Sequence, residues 1–548
     1  MESVTIVLVL LLAVLVSGML ARLSPVNVPL PILQIVIGAL LAAALNFDVR
    51  LDPEIFFLLF IPPLLFLDGW RIPKGALFRD WRPILTLAVG LVVFTVLGVG
   101  LLIDQLIPAV PLAVAFALAA ILSPTDPVAV SAITRGIPIP ARLMHILEGE
   151  SLLNDASGLV CFRFAVAAAL TGTFSLRDAS AGFLLTAAGG LIAGTAVAWA
   201  ASASYSLLSK RVGEEPGSQI LISILIPFAA YLLAEHVHAS GILAAAAAGI
   251  SMHYADLTGR SQATTRMRRS AVWDMLQTAL NGIIFVLLGQ QLPGIFRQMP
   301  RIAESVGVGG ALSLGLYVVV ITVALTAVRF FWIGGSILVA GRFAKHRGEA
   351  WSAPSVLFPF IAALAGVRGA ITLAGVLTLP MTMPGGGPFP ARDLAIFLAL
   401  GVILLSLAIA SIGLPVLAGR LGSSEQVLPP SKEVDARTAA AEAAIREIER
   451  EREGSDPEDR EVGAEAAARV IDLYRRRIEY GHADVDEAKR FKRLAAAEAH
   501  LRTIALRAER DEYYRLRLAR EIGDPLHQKL VREVDLLETS ISDPTKAT

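Results

Sequence analysis

The apolar stretch Ile146–Leu170 includes the carboxylates of Glu150 and Asp155, in a setting where charge is unfavourable. Ser151, Asn154 and Asp155 have the spacing i, i+3, i+4, so they share one face of a helix. That face offers a hydroxyl, an amide oxygen and a carboxylate, which are hard oxygen donors that suit sodium and not a soft metal. A charged side chain at the bilayer centre costs at least about 2.5–3.5 kcal/mol on insertion scales. We therefore expect Asp155 to bind a cation.

A second acidic residue, Asp126, stands in the run Ser-Pro-Thr-Asp-Pro, which occupies residues 123–127 of another apolar stretch. Each proline removes a backbone donor and pushes the residue before it toward an extended conformation. Irregular backbone at membrane depth is tolerated only where it lines a cavity or is buried in protein. The run therefore predicts a broken helix with an unwound centre. Asp126 can also cap the second half of that helix, and the two roles are compatible.

Glu150 does not share the face of Asp155 and needs a cation nearby. Arg368, flanked by glycines in the sequence Gly-Val-Arg-Gly-Ala, is the first candidate partner, and Arg329 is the second. Glycines beside an arginine indicate a point where helices pack closely. A buried pair of this kind would neutralise both charges, support the structure and leave Asp155 free.

Two further charges lie in or near apolar stretches. Asp68 follows a Pro-Pro segment, and it either lines the cytoplasmic end of a pathway or caps a helix at the membrane interface. Arg163 lies two turns beyond Asp155, about 12 Å away at the rise of an α-helix. The sequence assigns no role to Arg163.

The composition shows which elements must position these residues. The chain has 548 residues, of which 55% are hydrophobic and 18% charged, and its mean hydropathy is +0.63. Soluble proteins average about 25% charged residues. Charge is sparse up to about residue 421 and dense after residue 431, which predicts a membrane domain over residues 1–421 and a soluble tail over 422–548.

Other properties exclude several classes of protein. The net charge is zero, so no global field favours a nucleic acid partner. One cysteine, Cys161, excludes a disulfide framework and a cysteine-rich metal site. No cofactor is expected. An intramembrane aspartyl protease using Asp126 and Asp155 is disfavoured. Such enzymes carry a Gly-x-Gly-Asp element in a membrane span, and this sequence has none.

About thirteen apolar runs are candidates for transmembrane helices, although Ile55–Leu67 and Gly241–Met252 are short. If the N-terminus is outside, the loops that face the cytoplasm hold most of the Lys and Arg residues, as the positive-inside rule requires. This orientation puts the tail in the cytoplasm. The sequence of the tail predicts three or four helices. These helices form either a solvated tail that packs on itself or on a partner copy, or a regulatory domain that binds a ligand.

Three segments together, 123–127, Gly149–Asp155 and Gly366–Ala370, resemble the motifs of the monovalent cation/proton antiporter family. This family includes the eukaryotic sodium/proton exchangers and the bacterial NhaP-type antiporters. The resemblance covers most of residues 1–420. It implies an all-α membrane fold of inverted repeats, with two broken helices that cross near the bilayer midplane. It also implies a homodimer in the membrane lipid and elevator-like alternating access.

The resemblance also implies roles for individual residues. Asp155 would be the carboxylate that exchanges sodium for a proton, with Ser151, Thr125 and Asp126 completing the ion site. Sodium itself would lie at Asp155, Ser151 and Thr125. Asn154 matches the asparagine that marks electroneutral members.

Two more positions match residues of the family. Glu150 would pair with the membrane arginine, and Asp68 matches an acidic residue at the rim of the site. The expected activity is Na⁺/H⁺ antiport at the cell membrane, with Li⁺ also a candidate substrate. K⁺/H⁺ antiport is an alternative because oxygen ligands alone do not choose among these ions. A cation channel is a second alternative, disfavoured because acidic residues occupy only one face.

Overall fold

A computed structural model of the chain describes residues 2–24, 28–45, 53–134, 141–173, 175–213, 215–257, 263–305, 310–348, 355, 357–418, 430–453, 460–482 and 485–541. Across these residues the structure is helical, apart from one isolated bridge between Thr382 and Pro388. The chain divides into two compact units, Met1–Glu425 and Gln426–Thr548. The predicted boundary after residue 421 lies in residues 419–429, outside the described part.

The described residues of the first unit form seventeen α-helices, several of which share a membrane span. They are α1 (Glu2–Leu23), α2 (Leu30–Leu45), α3 (Pro53–Arg71), α4 (Lys74–Arg79), α5 (Trp81–Leu85), α6 (Val92–Leu106), α7 (Leu112–Leu122), α8 (Pro127–Ile133), α9 (Ala141–Thr171), α10 (Leu176–Val212), α11 (Pro216–His236), α12 (Gly241–Leu257), α13 (Ala263–Ser305), α14 (Ala311–His346), α15 (Leu357–Leu364), α16 (Ala370–Leu377) and α17 (Arg392–Ala418). A π-helical segment, Thr86–Leu91, joins α5 to α6.

Among the described residues, eight helices are long and apolar enough to cross a membrane, and a bent pair makes a ninth. Shorter apolar helices add to these, including most of α2 and of α12. The all-helical membrane fold predicted from the sequence is therefore confirmed. The count of thirteen spans stays a prediction.

The helices of the first unit form two bundles. The scaffold bundle consists of α1 to α3 and α10 to α13, and the core bundle consists of α4 to α9 and α14 to α17. Helices in lipid associate through close packing of small residues, because lipid is as apolar as a leucine side chain. The alanine run 244–248 of α12 is an example, since all five of its side chains are buried against α3 and α10.

Both broken helices lie in the core bundle. The helix that begins at Leu112 stops at Leu122, and the chain bends by 46° before α8 begins at Pro127. This is the break that the two prolines predicted. Asp126 caps α8, since its Oδ1 accepts hydrogen bonds from Val128 N at 2.9 Å and Ala129 N at 3.3 Å. The cap expected of Asp126 is therefore present.

The second broken helix consists of α15 and α16, separated by residues 365–369. Asp126 N donates to Val367 O at 2.7 Å, and Arg368 Nε donates to Leu122 O at 3.0 Å, so the two breaks contact each other. Each broken helix stands between two continuous spans in chain order: α5–α6 and α9 flank the first, and α14 and α17 the second. This order is that of two related repeats.

The second unit contains four helices, α18 (Pro430–Glu453), α19 (Arg460–His482), α20 (Val485–Leu518) and α21 (Asp524–Ile541). They pair as α18 with α19 and α20 with α21. Arg510 of α20 forms ion pairs with Asp535 and Glu538 of α21, which ties the second pair together. The charges of the tail otherwise pair largely along the helix surfaces, as in a solvated helix.

Candidate functional site

A cavity lies where the two bundles meet, beside the contact between the broken helices. Helices α3 and α13 of the scaffold bundle line one side, and the α7–α8 break, α9 and α16 of the core bundle line the other. Its polar lining residues are Asp68, Thr125, Asp126, Ser151, Asp155, Asn281 and Thr372. The space open to the centre of a water molecule is about 50 Å³. A single water needs roughly 10–15 Å³ by this measure, so a cation with a few ligands fits.

Asp155 and Ser151 project from α9 into this cavity, and both side chains are buried. Among the described residues, Asp155 has neither an ion pair nor a hydrogen-bond partner for its carboxylate. The neighbouring charges that act on it most strongly are carboxylates, in the order Asp126, Asp68, Glu150. A buried anion among other anions favours the binding of a positive charge.

Thr125 and Asn154 connect the break to α9. Asn154 Nδ2 donates to Thr125 Oγ1 at 3.1 Å, and both side chains are buried. Gly158, one turn beyond Asp155, allows this approach, since a Cβ there would lie 2.6 Å from Pro124 Cγ. The structure brings Thr125 and Asp126 of the break and Ser151 and Asp155 of α9 to one cavity, whereas Asn154 does not line it.

The charge partner of Glu150 is Arg329 of α14. Arg329 Nη2 donates to Glu150 Oε2 at 2.6 Å, and Arg329 Nη1 also donates to Glu150 Oε1. Both side chains are at most 2% exposed, and Arg329 Nε adds a bond to Ala362 O at 2.9 Å. The first choice of partner made from the sequence, Arg368, is wrong, and the second choice is the partner found.

Arg368 bonds to the backbone of the two breaks. Its Nε donates to Leu122 O at 3.0 Å and its Nη1 donates to Gly366 O. Carbonyls at the end of a helix have no intrahelical donor, and a buried one without a partner is unfavourable. Arg368 donates to two such carbonyls where the helices are interrupted. Its guanidinium therefore stabilises the two breaks and does not pair with Glu150.

Asp68 lies in the last turn of α3, half-buried, with its side chain at the cavity. Among the described residues, its carboxylate makes no hydrogen bond that caps a helix. The nearby Arg71 donates instead to Gln277 Oε1 at 2.8 Å and pairs with Asp274 of α13. Asp68 is therefore positioned at the scaffold side of the cavity.

Three residues at or near the cavity could not be identified from the motifs of the sequence. Asn281 and Thr372 line it, and Glu148 lies half-buried one turn before Ser151, close enough to interact with the charge of Asp68. The spacing i, i+3 from Glu148 to Ser151 was a usable signal for a shared helix face. Nothing in the local sequence singled out Asn281, because α13 reaches the cavity only through packing.

Arg163, which the sequence left without a role, connects the two bundles. Its Nη2 lies 3.4 Å from Glu235 Oε1 at the end of α11, and the same oxygen accepts from Gly241 N at 3.4 Å. Arg163 belongs to the core bundle and Glu235 to the scaffold bundle. The pair therefore joins a helix of the core bundle to a helix of the scaffold bundle.

Two broken-helix repeats around a buried carboxylate, in an apolar helical bundle, define a multi-pass secondary transporter of ions. The sequence model of the family described as sodium/hydrogen exchanger, transmembrane, matches residues 7–419. The chain belongs to this family. The family resemblance stated from the motifs is thereby confirmed.

Individual relatives agree with this assignment. The uncharacterized Na⁺/H⁺ exchanger YjcE of Escherichia coli K12 is 43% identical over 548 residues, covering 98% of each chain. The sodium, potassium, lithium and rubidium/H⁺ antiporter of Bacillus pumilus is 39% identical over 464 residues, covering 84% of this chain and 68% of the relative. The sodium proton antiporter MjNhaP1 of Methanocaldococcus jannaschii has a similar fold, with a TM-score of 0.55 and 17% identity over 77% of this chain and 100% of the other.

Proposed function

We propose that the protein exchanges Na⁺ for H⁺ across the cell membrane and that Asp155 binds the two ions in turn. The observation that carries the proposal is the unpaired, buried carboxylate of Asp155 in a cavity lined by hydroxyl and carboxylate oxygens. The sodium ligands we propose are Asp155, Ser151 and Thr125, with Asp126 and Asn154 beside them. Oxygen donors of this kind suit an alkali cation.

Competition for one carboxylate couples the two fluxes. An isolated buried anion is strongly unfavourable, so Asp155 is stable in the membrane only when it holds a proton or a cation. The site can then release Na⁺ on one side by taking up a proton, and the reverse on the other side. No separate coupling device is needed, because occupation by one ion excludes the other.

We propose that the exchange is electroneutral. Glu150 is neutralised by Arg329 and Oδ1 of Asp126 caps α8, and of the two remaining cavity acids we take Asp155, and not Asp68 on the scaffold side, as the one that changes its partner. The residue beside it, Asn154, is neutral. One proton should therefore replace one sodium ion, and a transport rate that changes with membrane voltage would contradict this stoichiometry.

We propose that transport proceeds by alternating access, through movement of the core bundle against the scaffold bundle. The cavity is lined by both bundles, so a relative shift would change which side of the membrane it faces. The helices pack more extensively within each bundle than between them, which favours a rigid-body movement. The pair of Arg163 and Glu235 crosses the boundary that would have to move.

The orientation and assembly are also proposals. The charge distribution of the loops favours an N-terminus outside and a tail in the cytoplasm. The domain division we propose is residues 1–421 in the membrane and 422–548 in the cytoplasm. Homodimerisation is what the family resemblance implies. Regulation of cellular pH is the physiological role that such an exchange would serve.

Exchange of K⁺ for H⁺ is the alternative that a specific observation favours. The relative from Bacillus pumilus is named for sodium, potassium, lithium and rubidium. A set of flexible oxygen ligands can accept several alkali ions, so the same site can serve either exchange. A channel has less support, because the acidic residues form one cluster at the bundle boundary and not a ring.

The experiment that tests the proposal measures proton flux in proteoliposomes after addition of Na⁺, Li⁺ or K⁺ in turn. We expect the largest flux with Na⁺ and a smaller one with Li⁺. Asp155→Asn should abolish the flux while the protein still folds in the membrane. Flux at the wild-type level in Asp155→Asn would refute the site, and flux with K⁺ alone would establish the alternative.

A further inference from the structure

Thr372 of α16 has a buried hydroxyl with no hydrogen-bond partner among the described residues, and its side chain lines the cavity of Asp155. The residue is 1% exposed. Burying a hydroxyl without a partner is unfavourable, and buried polar groups in proteins are nearly always satisfied. Of the side chains that line the cavity in the described part of the chain, Thr372 is the one that combines these features.

The local backbone explains why this hydroxyl has no partner. A threonine inside a helix usually donates to the carbonyl four residues earlier. Thr322 donates to Val318 O at 2.7 Å, and Thr134 donates to Val130 O at 2.9 Å. Helix α16 begins at Ala370, so the residue four before Thr372 is Arg368, which lies in the unwound break. The interruption of the helix leaves the hydroxyl oxygen available to the cavity.

We propose that Thr372 supplies a hydroxyl oxygen to the transported cation, beside Asp155, Ser151 and Thr125. This inference rests on the proposed function, since it adds a ligand to the same site. The ligand would come from the second broken helix, whereas Thr125 comes from the first and Ser151 and Asp155 come from α9. The cation would therefore contact both repeats of the core bundle.

If Thr372 is a cation ligand, loss of its hydroxyl should affect the affinity for Na⁺ and the affinity for H⁺ differently. A proton binds to a carboxylate oxygen and gains little from a neutral hydroxyl nearby, whereas an alkali cation gains from each oxygen that contacts it. Loss of the hydroxyl should weaken the affinity for Na⁺ and leave the proton affinity of the site unchanged. A structural hydroxyl would show the opposite behaviour, with a change in stability and none in ion affinity.

The test compares Thr372→Val, which keeps the branched shape and removes the hydroxyl, with Thr372→Ser, which keeps the hydroxyl. Thr372→Val should raise the Na⁺ concentration for half-maximal exchange about tenfold. This is the loss of affinity expected when one contact as strong as a hydrogen bond is removed. The maximal rate at saturating Na⁺ should stay the same, because the proton site at Asp155 is unchanged. Thr372→Ser should recover most of the lost affinity.

The matched control is Thr322→Val, which removes a buried hydroxyl that is satisfied within its own helix, away from the cavity. It should leave the half-saturating Na⁺ concentration unchanged. Binding can also be measured without transport, as the rise in melting temperature on addition of Na⁺ to the purified protein. This rise should be smaller for Thr372→Val than for the wild type at equal Na⁺.

Asp155→Asn is measured in parallel to separate the two proposals. If Asp155→Asn still exchanges ions, the proposed function fails. If Asp155→Asn is inactive and Thr372→Val has the half-saturation and the Na⁺-dependent stabilisation of the wild type, the inference about Thr372 is overturned and the site at Asp155 stands.

Discussion

Glu150 and Arg329 form a doubly hydrogen-bonded ion pair between α9 and α14, and neither side chain is more than 2% exposed. Glu150 lies five residues before Asp155 on α9. Two carboxylates on one helix thus have different fates. Glu150 is paired with Arg329, whereas the carboxylate of Asp155 has no ion pair among the described residues.

Removal of one partner of this pair should strongly destabilise the protein. Glu150→Gln leaves the guanidinium of Arg329 buried with its charge uncompensated, and breaking a buried pair in this way costs about 3–5 kcal/mol. The double variant Glu150→Gln/Arg329→Met should recover part of the loss, because the stranded charge is gone. Melting temperatures of the purified variants measure both effects.

The control for this prediction is Asp274→Asn, which breaks the exposed pair with Arg71. Exposed pairs contribute about 0–1 kcal/mol, so the melting temperature should change little. If Glu150→Gln were as stable as Asp274→Asn, the buried pair would not support the structure.

Gly369→Ala should separate the two breaks. A Cβ at Gly369 would lie 2.7 Å from both Cβ and Cγ of Asp126, and closer still to its Oδ2. The φ angle of Gly369 is −144°, so the steric contact and not backbone strain decides the outcome. Asp126 cannot move away freely, because it caps α8 and its N–H bonds to Val367 O. We expect the exchange rate to fall at least about tenfold, on the scale of a misplaced binding group.

Gly387→Ala is the matched control for Gly369→Ala. A Cβ at Gly387 would have no atom within 4 Å, so the same chemical change should be tolerated. Both variants are compared by sodium-driven proton flux and by melting temperature. Normal flux in Gly369→Ala would mean that the contact between Asp126 and the second break is not needed for transport.

The broken helices and the acidic face of α9 could be predicted from the sequence because their signals are local. Pro124 and Pro127 dictate an interruption wherever the helix lies, and the spacing of Ser151 and Asp155 sets their common face. The partner of Glu150 could not be chosen in this way. Arg329 and Arg368 are both arginines in apolar segments, and only the tertiary fold, which brings Arg329 to Glu150, decides between them.

Thr372 illustrates the same limit. Its sequence neighbourhood is that of an ordinary threonine in an apolar helix, and its distinguishing feature is the absence of a carbonyl partner at the start of α16. That feature depends on where the break ends, which the sequence defines only to within a few residues. The role of Arg368 also follows from the break, since its acceptors are carbonyls that unwinding exposes.

The apparent affinity for Na⁺ should fall as the pH is lowered. If Na⁺ and H⁺ compete for Asp155, each unit of pH below the point of half-protonation requires about ten times more Na⁺ for half-saturation, by mass action. The maximal rate at saturating Na⁺ should change much less. Initial rates of exchange at a series of Na⁺ concentrations and pH values give both quantities.

Asp104→Asn provides the control for this pH dependence. Asp104 is a half-buried carboxylate near the end of α6, and it does not line the cavity. Its neutralisation removes the same unit of charge from the protein and should leave the competition intact. A half-saturating Na⁺ concentration that is independent of pH in the wild type would contradict a shared binding site.

Linking α9 to α11 should stop transport if the two bundles must move against each other. Arg163 and Glu235 lie on either side of the boundary, and their charged groups are 3.4 Å apart. In a Cys161→Ser background, Arg163→Cys/Glu235→Cys can be joined by a reducible bifunctional thiol reagent. We expect exchange to fall at least about tenfold, because most turnovers need the bundle movement, and to return after reduction.

Arg71→Cys/Asp274→Cys is the control, because it joins α3 to α13 within the scaffold bundle. The same reagent should leave its exchange unchanged. Full exchange in both linked proteins would exclude a movement between α9 and α11, and a loss in both would show that linking itself, and not the boundary, inactivates the protein.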